Sequence, residues 1–193
     1  KNLPILQVLI PFVSAPFCVI IGNKNFSWLL TLISTFLASI ISILILIDTL
    51  SGNNFSYSMG GWEAPLGIEY VVDPLNSLLL ILISLVGFLV VIFSKDQLIC
   101  DLDSKNHTLF YTCFLLCLTG LLGVLITGDV FNVFVFLEIS SLSTYVLVAQ
   151  GFKKNREALY SAFNYLIMGT IGATFFVIGI GFLYVHTGSL NML

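Results

Sequence analysis

Six apolar runs, each close to the roughly 20 residues a helix needs to cross a bilayer, take up most of this chain. They leave few folds open. In hydrocarbon a backbone must satisfy its own N–H and C=O groups, within a helix or a closed barrel. The runs are continuous rather than alternating, so helices are expected. They cover about Leu3–Ile21, Ser27–Ile47, Pro74–Phe93, Thr108–Ile126, a fifth from Asp129 to Ala149 or Gln150, and Ala158–Tyr184. Only 9% of the residues are charged, against about 25% in soluble domains, too few to cover a water-soluble globule. The expected class is an all-α polytopic transmembrane bundle, one membrane domain over 1–193. The first run holds Pro4, Pro11 and Pro16, which should kink or loosen it. It reads as a span rather than a signal peptide, since its charged region is a single Lys and no small-x-small cleavage site follows.

The connections are less uniform. Residues 54–72 are too polar to span and form an external loop. In it Phe55, Tyr57 and Met59 alternate, Gly60-Gly61-Trp62-Glu63-Ala64-Pro65 turns the chain, and Ile68, Tyr70 and Val72 alternate again, which predicts a short β-hairpin. Asp73-Pro74 then starts a helix, Asp73 as N-cap and Pro at the first helical position. Ser94 to His107 reads as a charged loop and Gly151 to Glu157 as a basic turn. Six of the seven Lys and Arg residues fall on one side, at Lys24, Lys95, Lys105, Lys153, Lys154 and Arg156. The positive-inside rule makes that side cytoplasmic, in a cell inner (plasma) membrane, with both ends of the chain outside.

Inside this apolar frame sits one acid. Glu138 lies nine residues after Asp129, where the fifth run starts, about 13.5 Å down at 1.5 Å per residue. An ionised carboxylate at a helix centre costs about 2.5–3.5 kcal/mol on insertion scales, so it is kept for a partner or for protonation. No Lys or Arg lies in any of the six spans. Counting i+3 and i+7 puts Ser141 and Tyr145 on the same face. Ser140, Ser143 and Thr144 add hydroxyls, so the stripe below Glu138 suits a water-lined path or hydrogen bonds to other helices. Proton or cation transfer and a structural acid both remain open readings. On the sixth span Asn164, Tyr165 and Thr170 could line the same path, and Gly169, Gly172, Ala173, Gly179 and Gly181 offer a surface for close helix approach. Asp129 and Asn132 read as a helix cap rather than as a point of cation access. His107 and His186 fall at span ends. Glu63, Glu69 and Asp73 should form a solvated external rim.

Other chemistries lack residues. The basic residues form no cluster large enough for nucleic acid. Cys18, Cys100, Cys113 and Cys117 show no Cys-x-x-Cys spacing, and Cys113 and Cys117 read as small core residues, so no metal is expected. No nucleotide loop, nucleophile triad, intramembrane His pair or redox-cofactor set is present, and neither a cofactor nor an active site of the chain's own is expected.

Three stretches together carry a resemblance. They are Gly60-Gly61-Trp62-x-Ala64-Pro65-x-Gly67-Ile68 with Asp73-x-Leu75-Asn76; Gly128-Asp129-x-Phe131-Asn132-x-Phe134-x-Phe136-x-Glu138; and Ala158-x-x-Ser161-Ala162-x-x-Tyr165-Leu166 with Tyr184-x-x-Thr187-Gly188-Ser189-Leu190-Asn191-Met192. The chain resembles the antiporter-like membrane subunits shared by respiratory complex I, membrane-bound hydrogenases and Mrp-type Na⁺/H⁺ antiporters. Its Gly-Gly-Trp and Gly-Asp-x-Phe-Asn runs look most like the D-type subunit of the Mrp branch. The resemblance implies a multisubunit Na⁺/H⁺ antiporter in which Glu138 matches the key glutamate. Proton pumping in a complex I-type or hydrogenase assembly, or a scaffold role, are the alternatives. It also implies other membrane subunits as partners, H⁺ and a monovalent cation such as Na⁺ as cargo, and a partner lysine on a helix after the sixth, making these residues the N-terminal part of a longer subunit. The charge bias gives a first expectation. Trypsin should cut at Lys153-Lys154 in inside-out vesicles and leave that bond intact in right-side-out vesicles.

Overall fold

The computed structural model describes residues 2–52, 55–62, 67–101, 104–153 and 156–192. Six helices follow in order: α1 (Leu3–Ile21), α2 (Lys24–Leu50), α3 (Pro74–Asp101), α4 (Ser104–Ile126), α5 (Val130–Ala149) and α6 (Glu157–Thr187). All six hold a stretch long and apolar enough to cross a membrane. Between α2 and α3 lie β1 (Phe55–Ser58) and β2 (Glu69–Val72), with a 3₁₀ turn at Met59–Gly61 following β1. They pair antiparallel with Phe55 opposite Val72 and Tyr57 opposite Tyr70. The chain is therefore a polytopic membrane protein of six spans with one short hairpin outside them. Glu63, Ala64, Pro65 and Lys154, singled out above, lie outside the described residues.

Local chemistry explains the helix ends. Gly22 and Gly188 close α1 and α6 at φ of 64° and 68°, a left-handed conformation that costs a residue without Cβ little, and each N–H returns to the carbonyl four residues back. Asn23 accepts the N–H of Asn25 at the start of α2, and Asp73 accepts that of Asn76 at 2.8 Å at the start of α3. The α1 helix runs on through Pro11 and Pro16. The charged stretch Ser94 to His107 differs from the loop that its composition suggests: α3 continues to Asp101 and α4 begins at Ser104. Lys, Gln, Leu and Asp there carry no helix-breaking Gly or Pro, so the helices extend past the apolar stretch. His107 is buried by this extension, its Nε2 2.9 Å from the Leu98 carbonyl.

In the bundle α1 packs on α2 and α4, α2 on α3, α4 on α5, and α5 on α6. The main apolar cluster joins Val8, Ile41, Ile45, Leu80, Leu118, Leu122, Ile126 and Phe136 to Tyr70 and Val72 of the hairpin, which thus roofs the helices. Two seams hold the helices in different ways. Along α2 the hydroxyls of Ser27, Thr31, Thr35, Ser42 and Thr49 are all buried. Most return to the carbonyl one turn back, and Ser42 also meets Ser84 of α3 at 3.0 Å and Gln7 of α1 at 2.6 Å. Thr49 meets Ser77 at 3.1 Å. Between α4 and α5 contact is through missing side chains: a Cβ at Gly120 would lie 2.6 Å from the Phe136 carbonyl oxygen, and one at Gly123 would lie 2.4 Å from the Phe136 ring.

The small residues of α6 behave otherwise. Gly172, Gly179 and Gly181 have nothing within 4 Å of a would-be Cβ. Within this chain the close-approach surface expected on α6 therefore lies on α4, and of the α6 glycines in the membrane only Gly169 is approached closely. Gly123→Val should destabilise the folded chain by about 1–3 kcal/mol, the usual cost of overpacking, while Gly179→Ala should be neutral or slightly stabilising. Thermal unfolding in detergent of the full-length subunit carrying each change checks the contrast.

Candidate functional site

The start of α5 is fixed by backbone before any side chain acts. Gly128 donates its N–H to the Glu69 carbonyl at 2.8 Å, and Thr127 pairs with Tyr70 of β2. On the other side Asp129 pairs with Asn191, Val130 donates to the Leu190 carbonyl at 2.9 Å, and Met192 donates to the Gly128 carbonyl at 2.9 Å. Residues 127–130 are thus tied by isolated β-bridges and backbone hydrogen bonds on both sides, in a small patch between the hairpin and the segment after α6. A Cβ on Gly128 would stand 3.1 Å from the Glu69 carbonyl oxygen and 3.0 Å from Val71, which is why glycine suits the position. The three sequence stretches that carried the resemblance, far apart along the chain, converge on this patch.

Side chains complete it. Asp129 is the N-cap of α5, its Oδ1 accepting the Asn132 N–H at 2.7 Å. The Asn132 amide is buried and donates to Thr127 Oγ1 at 2.9 Å. Tyr70 is also buried, which pushes its phenol above the ordinary value, and a hydrogen bond with Asn132 offsets part of that. Tyr70 and Asn132 sit at one end of an apolar groove of about 270 Å³ that runs on to Phe12, Phe136 and Ile139. Of the expected rim, Glu69 accepts the Ser56 hydroxyl and Asp73 is engaged as the cap of α3.

Glu138 follows two turns further into α5, half-buried. Its carbonyl accepts the Ser141 hydroxyl at 3.2 Å, but its carboxylate has no hydrogen-bonding or ionic partner among the described residues. Two ring contacts with α6 bracket it: Phe134 stacks on Phe176 at 6.4 Å, and Tyr145 meets Tyr165 edge-on at 4.8 Å. Counting between those antiparallel contacts places Gly172 and Ala173 of α6 opposite Glu138. Gly172 has open space where a side chain would stand. The acid therefore faces a flank of α6 stripped of bulk, closed at both ends by aromatic pairs.

The other path candidates divide. Tyr145 is buried on the Glu138 face, its hydroxyl lying against Gly169, where a Cβ would come within van der Waals overlap. Ser141 is half-buried beside the acid. Asn164 and Thr170 are exposed, and Thr170 returns its hydroxyl to the Leu166 carbonyl at 2.8 Å. At 100° per residue they lie well off the Ala162–Tyr165–Gly169–Phe176 face that meets α5, so this chain does not bring them to Glu138. Ser140 and Thr144 point the other way, to Cys117 at 3.8 and 3.4 Å. No group of three or more His, Cys, Asp or Glu capable of holding a metal exists among the described residues. The buried hydroxyl row of α2 and Gln7 escaped the sequence reading. Its signal was present in the spacing Ser27, Thr31, Thr35, Ser42, Thr49, which keeps one helical face.

A family profile described as "NADH:quinone oxidoreductase/Mrp antiporter, TM" matches residues 127–193, beginning at the patch and running through α5 and α6. Over its whole length the chain is similar to membrane subunits of the complex I/Mrp antiporter superfamily. Subunit N of the NADH-quinone oxidoreductase of Desulforudis audaxviator is 38% identical over 99% of the chain, and the D-type subunit of the Na⁺/H⁺ antiporter of Bacillus subtilis is 35% identical over 100%. The chain spans 38% of the length of each of these superfamily relatives. Among solved structures, a chain of the archaeal membrane-bound sulfane sulfur reductase, a respiratory membrane complex, superposes with a TM-score of 0.88 at 31% identity, over 100% of this chain and 39% of that one. Asp129→Ala should cost about 1 kcal/mol in thermal unfolding of the full-length subunit, the value of a lost N-cap, while Asp129→Asn should be near neutral. Loss of transport by Asp129→Asn at unchanged stability would instead give the carboxylate a part in cation access.

Proposed function

We propose that this chain is the N-terminal, Glu138-bearing part of a membrane subunit that moves protons in a redox-driven respiratory complex of the NADH:quinone oxidoreductase type. The observation that carries it is the Glu138 carboxylate, held in a membrane helix with no partner among the described residues and facing a cleared flank of α6. A carboxylate so placed is costly as a bare anion, so its favourable states are protonated or paired with a cation. Exchange between those two states is proton transfer. The 38% identity to an oxidoreductase subunit N and the 31% identity to a chain of a respiratory membrane complex support the redox-driven branch. The resemblance adds a lysine on a following helix as the paired cation, and other membrane subunits as partners in the inner membrane. Ser141 and Tyr145 continue the path below the acid, and Asp129 and Asp73 act as helix caps.

The second reading, Na⁺/H⁺ exchange by a multisubunit antiporter, draws on the 35% identity to an antiporter's D-type subunit and on the Gly-Gly-Trp hairpin. Both readings place the moving proton on Glu138 and differ in what drives it.

Glu138→Gln in the full-length subunit, within its complex, should leave assembly intact and reduce proton translocation to background. Inverted membrane vesicles driven in parallel by an electron donor and by an imposed Na⁺ gradient separate the readings. Acidification with the donor alone supports redox pumping, and Na⁺-dependent pH change without a donor supports exchange. Full translocation by Glu138→Gln would refute both, and failed assembly would make the acid a structural pair.

A further inference from the structure

We propose that the α2–α3 seam at the basic face of the bundle binds an anionic phospholipid, with its phosphate between Lys24 and Lys95 and its chains along the seam. The site starts from Trp28. Its indole Nε1 donates to the Val91 carbonyl of α3 at 3.1 Å, which locks the ring across the two helices. The Lys95 ammonium lies 4.0 Å from the centre of that ring, a cation–π contact that holds a flexible side chain in place. Lys24 stands one helical turn before Trp28, on the same face of α2 and exposed. Helical side chains lean toward the N-terminus, so Lys24 reaches from Trp28 toward the aqueous side. Among the described residues neither lysine is in an ion pair. Two ammonium groups at this end of the seam therefore present positive charge that is unpaired among the described residues.

Below them the seam is apolar and faces outward. Phe36 and Phe88 meet across it at 5.5 Å, and Phe36 and Ile92 are each more than 40% exposed. Trp28 to Phe36 spans about 12 Å at 1.5 Å per residue, which fits within one leaflet of a hydrocarbon core about 30 Å thick. A free phosphate would use the lysines and leave the seam uncovered, whereas an acyl chain covers it. The charge selects an anionic over a zwitterionic headgroup, at about five-fold in affinity for each lysine near the surface. The lipid comes from the leaflet on the basic side, and the site does not depend on the reading of Glu138.

The test uses the purified full-length complex in phosphatidylcholine nanodiscs doped with photoreactive phosphatidylglycerol, followed by mapping of the labelled peptides. Label is expected within residues 24–36 and 88–95. It should fall about 25-fold in a Lys24→Gln/Lys95→Gln double variant and persist in Lys24→Arg/Lys95→Arg. Equal labelling by photoreactive phosphatidylcholine in the unaltered complex would reduce the site to ordinary annular lipid and overturn the proposal. So would labelling unchanged by the double glutamine variant, or cross-links from this seam to a neighbouring subunit with no lipid attached. The comparison of the two lipids in the unaltered complex stands even if a variant fails to fold.

Discussion

In hydrocarbon, a polar group without a partner costs several kcal/mol, and the structure of this chain follows from that constraint. The six spans are helical because helices satisfy their own backbone. Hydroxyls in the membrane return to carbonyls one turn back, as Thr31, Thr35, Ser42 and Thr119 do. Gln7 of α1 donates its amide N–H across to Ser42 of α2. Where the backbone leaves the helix at residues 127–129, it is paired on both sides, so the break leaves its polar groups satisfied. The buried Ser34 hydroxyl and Gln7 amide oxygen also lack partners among the described residues, but of these departures Glu138 alone is ionisable, and that makes it the candidate for chemistry.

The spans were legible because period and length carry the signal directly, and the caps because Asp73 and Asp129 sit just before apolar runs. The hairpin could be read from alternation around Gly60-Gly61. Less legible was anything that depends on which helices neighbour one another. Gly120 and Gly123 looked like ordinary glycines of an apolar run, while α6 looked like the packing surface, because spacing within a helix does not name its partner. The extensions of α3 and α4 toward each other were missed for a related reason: charged residues mark the edge of the membrane, not the end of a helix. For the site, Glu138 and the face it shares with Tyr145 followed from counting. That Asn164 and Thr170 lie off that face could be seen only once Tyr165, Gly169 and Phe176 were placed against α5.

The two proposed branches differ less in residues than in what would drive the proposed proton transfer. The motifs at the hairpin and at the start of α5 point toward an antiporter subunit, whereas the identities to subunit N and to a respiratory membrane complex lean toward redox pumping. The same patch suits both branches, which is physically reasonable. Holding the first turn of α5 at a fixed depth is needed wherever an acid two turns below must meet a proton, whatever the energy source.

The segment at residues 127–130, paired on both sides, also bears on how the chain is made. Its two neighbours lie far away along the sequence, β2 before α3 and residues 190–192 after α6. Contacts of such long separation close late, because loop-closure entropy must be met before they form. The half facing β2 can pair once α4 has crossed, but the half facing Leu190–Met192 must wait for α5 and α6. Glu138 therefore enters the bilayer on a helix whose depth is only half-fixed, and its final position is set by one of the last steps of assembly.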